Sequence, residues 1–424
     1  MQRVLSYQTA RGFEETSEFI TKRMCISFLF SIGFLCLVCG FCLGRFAADT
    51  ASNTRVEQER LEHTGNGLEN VEYMRQIIIE KLQNNNYSID QLSYKNGSLK
   101  SIKEMLSSLE YFDKLTFQMG CIIGTVTGRR EPDKFVVLHA TESPTMSIVI
   151  EIIKELNNLN IQYKWIPRRS LTFIMCEKHH DNNDSSINNC IDYVPTYSRK
   201  NIVAFVSLEA ESLYSDGKYL TSGSDMVTSV VLETMKEHKN IEHDIFNNKI
   251  CRLNIDVPHA RIKYTKLAIV SDDHDDMFIV NWKNFAGIAT TSIWKLSQIT
   301  LFHWYPQNIK DTIDHTLTDL HDVPSTLKKN IEDKIKIITK FGNNLKDKTN
   351  SITPFKPLDV RMMNDLILNL DINLLCLDEN LKSKTDVTII YESFTNKNNI
   401  NKYLEEMLNC YNKIINNFTI NIIT

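Results

Sequence analysis

Two nearly continuous apolar runs constrain the fold of this chain more than any other feature. Residues 170–176 read SLTFIMC and residues 202–208 read IVAFVSL, and both runs contain β-branched side chains. Strands of this kind are usually buried on both faces, as they are in parallel sheets that helices cover. The sequence therefore predicts an α/β fold.

The segments around these runs support the same fold class. Their order along the chain is strand, helix, strand, strand, helix, which is typical of α/β proteins. After about residue 288 the pattern changes to long helical stretches with charged faces, which predicts a mostly helical tail. Further strands are predicted at 121–126 and 135–138, and helices at 69–84, 98–109, 145–157, 226–237, 325–345, 358–370 and 400–418.

Composition bounds the classes of protein that this chain can belong to. A length of 424 residues allows two or three domains. Apolar residues make up 42% and charged residues 24%, which excludes wholesale disorder. The net charge of −4 is not that of a general nucleic-acid binder, so no nucleic-acid partner is expected. Glycine is scarce, and none occurs from Arg129 to Asp216.

One uncharged segment predicts a membrane anchor. Residues 25–44 carry no charged side chain, and a helix of this length spans the roughly 30 Å of a bilayer core. Lys22 and Arg23 precede the segment and Arg45 follows it, which favours a cytoplasmic tail over 1–24 and a single-pass type II anchor over 25–45. We expect the C-terminal part to be extracellular, at the cell membrane. The alternative is a cleaved signal peptide, although the run exceeds the usual apolar length of about 7–15 residues.

The cysteines and glycosylation sequons add to this interpretation. Outside the apolar segment no CxxC pair occurs, so a zinc knuckle is not indicated. Cys176 and Cys190 are close enough in sequence to form a bridge, but the sequence leaves the pairing open. Asn-x-Ser/Thr sequons predict glycosylation at Asn86, Asn96, Asn183 and Asn417.

Several short segments resemble, in the same order, the family of glutamate carboxypeptidase II and the transferrin receptors. The resemblance lies in residues 124–128, 131–138, 165–170, 264–266 and 361–365. It implies a zinc-exopeptidase-like mixed sheet flanked by helices over 119–288. It also implies an all-helical dimerisation domain over 289–424, and therefore a homodimer. Residues 46–118 are then a stalk with a remnant of the family's protease-associated region, since they are too few for that whole domain.

The family's dizinc site requires ligands of the type His, bridging Asp, Glu, Asp and His, with a Glu as general base. Thr141 stands at the first ligand position, and His139 lies two residues early, a shift of about 6–7 Å along a strand. The Gly-rich loop of the bridging Asp is missing before Pro144. The remaining positions carry His179 for the general base and His180, Glu209 and His274 for the other ligands.

The resemblance also implies cationic residues that grip substrate carboxylates. Arg261 and Lys263 stand where the family has two arginines, and Lys397 stands where a Lys-Tyr pair holds a terminal glutamate. Asn398 replaces that tyrosine. A residual anion site is expected here, without a complete catalyst beside it.

Two main hypotheses follow for the function. In the first, the dizinc site is degenerate and the protein is a non-catalytic, receptor-like membrane glycoprotein with a protein ligand and no cofactor. In the second, it is a zinc-dependent carboxypeptidase that releases glutamate with rearranged ligands, His180 and Glu209 among them. A third hypothesis is a chain that does not fold stably.

Overall fold

The computed structural model of the protein divides the chain into two compact units, Met1–Asn70 and Val71–Thr424. The first unit contains one long apolar helix, and the second contains the sheet and the helices around it. The structure describes residues 27–45, 67–85, 87, 99–118, 120–141, 143–176, 201–210, 212–238, 242–245, 257–266, 275–302, 304, 310, 324–351, 357–374 and 397–423.

Nine helices occur in the described ranges, and they include every helical stretch that the sequence predicts. A long helix at 275–298, called α6 below, has no counterpart in the sequence prediction. It runs without interruption across residue 288, where the sequence pattern changes. The helices are α1 Ser27–Arg45, α2 Gly67–Asn84, α3 Leu99–Ser108, α4 Ser143–Tyr163, α5 Asp225–Glu237, α6 Asp275–Gln298, α7 Ser325–Ser351, α8 Pro357–Leu374 and α9 Lys397–Ile423.

Eight strands form one mixed sheet in the order β1-β2-β4-β3-β5-β8-β6-β7. The four central strands, β4, β3, β5 and β8, are parallel to one another. Strand β2 is antiparallel to β4, and β6 is antiparallel to β8. The strands are β1 Lys114–Gln118, β2 Cys121–Val126, β3 Glu131–Ala140, β4 Arg169–Cys176, β5 Ile202–Ala210, β6 Gly217–Gly223, β7 His243–Ile245 and β8 His259–Lys266.

The two apolar runs of the sequence form β4 and β5 at the centre of the sheet. Every residue of β4 is buried, and only Glu209 in β5 is not fully buried. This confirms the predicted α/β class with buried parallel strands. Strands β2 and β3 follow each other along the chain, but β4 lies between them in the sheet.

Most of the apolar core lies on one face of the sheet, under helices α4, α5 and α6. Side chains such as Leu138, Val206 and Ile262 contribute to it from the strands, and Trp282 and Phe285 contribute from α6. A smaller cluster includes Val137, Ile174 and Phe205, which alternate with those residues and therefore point to the opposite face. Its members among the described residues come from the strands and from Val257.

The segment 165–170, which the sequence analysis singles out, joins the sheet to α6. Trp165 stacks on Trp294 of α6, with ring centroids 4.6 Å apart. Arg169 is fully buried and binds Glu131, and it donates to the carbonyls of Leu296 and Ile299 at 2.9 and 2.7 Å. The segment therefore has a structural role, since it fixes the end of α6 against the start of β4.

The segment 361–365, expected to belong to a dimerisation domain, makes its polar contacts within the chain. Arg361 forms an ion pair with Asp133, and Asp365 forms one with Lys134. The Asn364 side chain accepts a hydrogen bond from Phe302 N–H at 2.9 Å and donates one to the Thr300 carbonyl. These contacts hold α8 against β3 and the end of α6, and the dimer stays a prediction.

Helix α8 also caps α5. The N-cap residue of α5, Ser224, makes no capping bond of its own, because its hydroxyl accepts a bond from His259 N–H. Instead, the buried carboxylate of Asp371 accepts the Met226 N–H at 2.9 Å. Burial raises the pKa of Asp371 from 3.8 to about 6, and its hydrogen bonds to Ser224 and α5 lower it by less.

We predict that Asp371 makes part of the stability depend on pH. A carboxyl whose pKa is raised on folding stabilises the folded state below pH 3.8, and this contribution is lost as the pH rises to about 6. Asp371→Asn keeps an acceptor for the Met226 N–H and removes the titration. Relative to wild type, the variant should therefore gain on the order of 2–3 kcal/mol between pH 4 and pH 7.

Urea unfolding at the two pH values measures this difference. Asp359→Asn, at an exposed position of the same helix, is the matched control for the replacement of one carboxylate by an amide. Equal pH dependence in wild type and Asp371→Asn would contradict the prediction.

Candidate functional site at the carboxyl ends of the parallel strands

One face of the sheet carries a row of polar side chains across three parallel strands. In the strand register, His139 of β3 lies beside Ser207 of β5, and Ser207 lies beside Arg261 of β8. In β3 and β5 the preceding side chains on the same face, Val137 and Phe205, are apolar. This face therefore changes from apolar to polar toward the carboxyl ends of the strands.

His139 belongs to the buried part of this face. Its Nδ1 lies 3.2 Å from the Ser207 hydroxyl oxygen, and its ring stacks on Phe205 with centroids 5.5 Å apart. Burial lowers the pKa of His139 to about 4, so the ring is neutral near pH 7. A fully buried, neutral histidine packed on a phenylalanine is a core residue, and it lies below the strand end where a metal ligand is expected.

The next row toward the strand ends contains the positions that the family resemblance singles out. Thr141 follows β3 directly and is buried. Glu209 lies beside Lys263 in the register of β5 and β8. The fold therefore brings the predicted residues Thr141, Glu209, Arg261 and Lys263 to one edge of the sheet, as expected for ends of neighbouring parallel strands.

The main interaction of this edge is an ion pair between Glu209 and Arg261. The Arg261 guanidinium donates to Glu209 Oε2, and each side chain is 13% exposed. The two residues are diagonal neighbours on the same face, because Arg261 lies opposite Ser207, two positions before Glu209. Glu209, which the family resemblance predicts as a zinc ligand, is thus paired with Arg261, which it predicts to bind a substrate carboxylate.

The described residues at this edge do not by themselves form a zinc centre. Thr141 offers a neutral hydroxyl where the family has an imidazole, and the Glu209 carboxylate is neutralised by a guanidinium. Zinc sites in proteins usually require three or four Cys, His or carboxylate ligands. Among the described residues no group of three or more His, Cys, Asp or Glu side chains comes together to hold a metal ion.

Several predicted residues lie outside the described part of the protein. These are His179, His180 and His274 of the metal site and the sequon residues Asn86, Asn96 and Asn183. Lys397 and Asn417 belong to helix α9, but their side chains are not described. The assignments of these residues stay predictions.

The structure pairs one cysteine differently from the bridge considered in the sequence analysis. Cys121 and Cys176 are neighbours across the antiparallel strands β2 and β4, and they form a disulfide. A bridge between Cys176 and Cys190 is therefore wrong. The correct partner lies 55 residues away along the chain, and only the sheet order brings it close.

Sequence reasoning missed the pairing of Glu209 with Arg261 and that of His139 with Ser207. A signal for both was present in the two-residue alternation of polar side chains. Ser207 and Glu209 alternate in β5, as His259, Arg261 and Lys263 do in β8. Such alternation places all of them on one sheet face, provided that both segments are recognised as neighbouring strands.

Comparisons with known proteins add a structural likeness. No protein-family model matches the chain, and no curated protein matches it. An aminopeptidase from Aneurinibacillus sp. strain AM-1 is similar, with 10% identity and a TM-score of 0.32 over 42% of this chain and 48% of the other. The zinc aminopeptidase BSAP from Bacillus subtilis gives 9% identity and a TM-score of 0.33 over 42% and 50%.

The aminopeptidase LapA from Legionella pneumophila gives 11% identity and a TM-score of 0.35 over 59% of this chain and 74% of the other. This chain spans about half the length of the first two structures. These likenesses are to peptidases, but scores of this size do not assign the chain to a family.

We predict that Glu209 and Arg261 are strongly coupled. Arg261→Ala leaves a largely buried carboxylate without its guanidinium, and Glu209→Ala leaves the guanidinium without its carboxylate. Each single change should lower the free energy of unfolding by about 3 kcal/mol, because a mostly buried charge loses its partner. The double variant should cost clearly less than the sum of the two.

The double-mutant cycle is measured by chemical unfolding. The exposed pair Lys336–Asp333 serves as the control, and its coupling should stay below about 1 kcal/mol. Additive losses at Glu209 and Arg261 would show that the ion pair does not couple them in solution.

Proposed function

We propose that this protein is a non-catalytic, receptor-like membrane protein built on a zinc-exopeptidase-like α/β domain. The observation that carries the proposal is the ion pair between Glu209 and Arg261. It lies at the strand ends where an active relative would hold both its metal ions and its substrate. Among the described residues at this edge, the carboxylate and the guanidinium bind each other and hold β5 and β8 together.

The ion pair acts against both steps that a peptidase of this kind needs. A carboxylate that accepts a charge-assisted hydrogen bond from a guanidinium is a weaker metal ligand, because the cation must first be displaced. Breaking such a mostly buried pair leaves Arg261 with an uncompensated charge, at a cost of several kcal/mol. Thr141 stands where the family has its first zinc ligand, and it offers a hydroxyl group in place of an imidazole.

Substrate binding is affected in the same way. In the family that the sequence resembles, a cation at this position grips a substrate carboxylate. Here Arg261 already binds a carboxylate of its own chain, so Glu209 takes the place that an acidic substrate would need. We therefore expect weak binding of acidic peptides.

Membrane anchoring is the second part of the proposal. Helix α1 is the one helix among the described residues that is long and apolar enough to cross a membrane. The disulfide between Cys121 and Cys176 supports an oxidising compartment for the α/β domain. Together they favour a single-pass type II protein with residues 46–424 outside the cell.

A homodimer is the third part, and it involves the outer face of α8. Arg361 and Asp365 of this helix are engaged within the chain, whereas Leu358 and Met362 are 69% and 63% exposed. These two side chains are four residues apart, so they lie on the same side of the helix. We propose that they pack against the same residues of a second copy.

The metal content of the full-length protein in detergent tests the first part. We expect far less than one zinc ion per chain and no release of glutamate from acidic dipeptides, with a zinc aminopeptidase as the positive control. Stoichiometric zinc together with glutamate release would overturn the proposal and favour the rearranged carboxypeptidase site. In that case His180→Ala should abolish both zinc binding and activity.

Light scattering of the detergent-solubilised protein tests the dimer. Wild type should have the mass of two chains, and Leu358→Glu with Met362→Glu should shift it to one chain, because two charges are placed in an apolar contact. Ile337→Glu, at a partly exposed position of α7, is the matched control and should remain dimeric. A monomeric wild type would refute the dimer.

A further inference from the structure

Three large apolar side chains are exposed within six residues at the end of helix α4. Ile161 is 59% exposed, Tyr163 is 45% exposed and Ile166 is 43% exposed, and Lys164 between them is exposed as well. We call Ile161, Tyr163, Lys164 and Ile166 the α4 tip. Isolated exposed apolar residues need no explanation, but a local group of three beside a cation does.

The backbone of the α4 tip is held in one conformation. Lys164 has a φ of +54°, in the left-handed region that favours glycine. Its N–H donates to the Asn160 carbonyl at 2.9 Å, and the Asn160 side chain donates to the Trp165 carbonyl at 3.0 Å. Trp165 is fixed in turn by its stacking on Trp294. The apolar side chains are therefore presented by an ordered turn.

Two further cations lie beside the tip. The N–H groups of Arg129 and Arg130 donate to the carbonyls of Pro167 and Arg168 at 2.8 and 3.1 Å, and both arginines are exposed. The acidic residue next to them, Glu131, is bound by Arg168 and Arg169. The surface around the tip is therefore apolar at its centre and positively charged beside it.

The direction of helix α2 shows at which end of the α/β unit this surface lies. Lys283 near the start of α6 donates to the carbonyl of Gln83 near the end of α2. Arg75 in the first part of α2 pairs with Glu237, which also binds Lys295 near the end of α6. Helices α2 and α6 therefore run in opposite directions, and the first part of α2 lies at the end of α6.

The α4 tip is at that same end. Arg169, four residues after Trp165, donates to the carbonyls of Leu296 and Ile299 at the end of α6. Trp165 itself stacks on Trp294 in the last turns of α6. The tip is thus close to the point where the chain, coming from α1, enters this unit.

The chain between α1 and α2 is short. Residues 46–66 separate the two helices. Fully extended, these 21 residues reach at most about 75 Å. If α1 spans a membrane, the α/β unit stays near the bilayer, so even a weak surface contact has a high effective concentration.

We propose that the α4 tip docks on the surface of the lipid bilayer that α1 spans. Ile161, Tyr163 and Ile166 enter the headgroup region, while Lys164, Arg129 and Arg130 contact the phosphate groups of the lipids. Exposed aliphatic and tyrosine side chains next to basic ones have the chemistry of interfacial membrane contacts. A glycine would adopt the φ of residue 164 without strain, whereas lysine adds a cation to the exposed turn. The proposal rests on membrane anchoring by α1.

The test uses the full-length protein in lipid nanodiscs with spin-labelled lipids, and a fluorescent amino acid in place of Ile161. The matched control carries the same label in place of Val280, which is 53% exposed near the start of α6. In discs of phosphatidylcholine we expect quenching about threefold greater at position 161 than at position 280. Quenching at position 161 should increase when phosphatidylserine is added to the discs, because part of the attraction is electrostatic.

Charge variants separate docking from folding. Lys164→Glu with Arg129→Glu should remove the excess quenching at position 161, whereas Lys336→Glu on α7 should leave it unchanged. Lys164→Gly keeps the turn and removes one cation, so an intermediate loss of quenching in a variant at least as stable as wild type confirms the role of the charge.

Two outcomes overturn the proposal in distinguishable ways. Equal quenching at positions 161 and 280 in a protein that inserts into the discs refutes docking and leaves the anchor intact. If the label at 161 is then also shielded from aqueous iodide, a protein partner covers the tip instead. Failure of the chain to insert into the discs refutes the anchor and the docking together.

Discussion

The buried guanidinium of Arg169 connects the starts of strands β3 and β4 to the end of helix α6 and the segment after it. It binds Glu131 at the start of β3, the carbonyls of Leu296 and Ile299 at the end of α6, and the ring of Phe302, which lies 4.3 Å from its guanidinium carbon. Burial lowers its pKa to about 10, so the charge persists near neutral pH. Removing it would leave a carboxylate and a helix end without their partner at the same time. The end of α6, the segment after it that hydrogen-bonds with Asn364, and the α4 tip are all held in place by this contact.

The sheet beneath uses its polar face in two ways. His139 and Ser207 are buried and lie within hydrogen-bond distance of each other. Glu209 and Arg261 form an ion pair at the strand ends. In a peptidase the same strand ends would present charges to a metal and a substrate. Here the charges of Glu209 and Arg261 are paired within the chain, which stabilises the edge.

The sequence predicted the class of the fold because its signals were local. Apolar runs marked β4 and β5, and helical spacing marked most of the helices. Helix α6 was missed because its buried residues lie on nearly every side, so it has no polar face to reveal its period. Strands β1, β6, β7 and β8 were missed as well, and the polar residues of β6 and β8 resemble those of loops. The candidate site was predicted in part, since Glu209 and Arg261 were named for separate roles and their pairing depends on the neighbouring positions of β5 and β8.

By itself, the sequence determined an α/β protein with an apolar N-terminal helix, a helical tail and several candidate site residues. These properties follow from periodicity and composition, which act over a few residues. Only the tertiary structure decided which residues meet. It placed Cys121 opposite Cys176, Asp371 at the start of α5, and Arg261 on Glu209. Each of these contacts joins segments that are far apart in sequence. They form because strand order and helix packing bring the segments together, and no local pattern encodes that order.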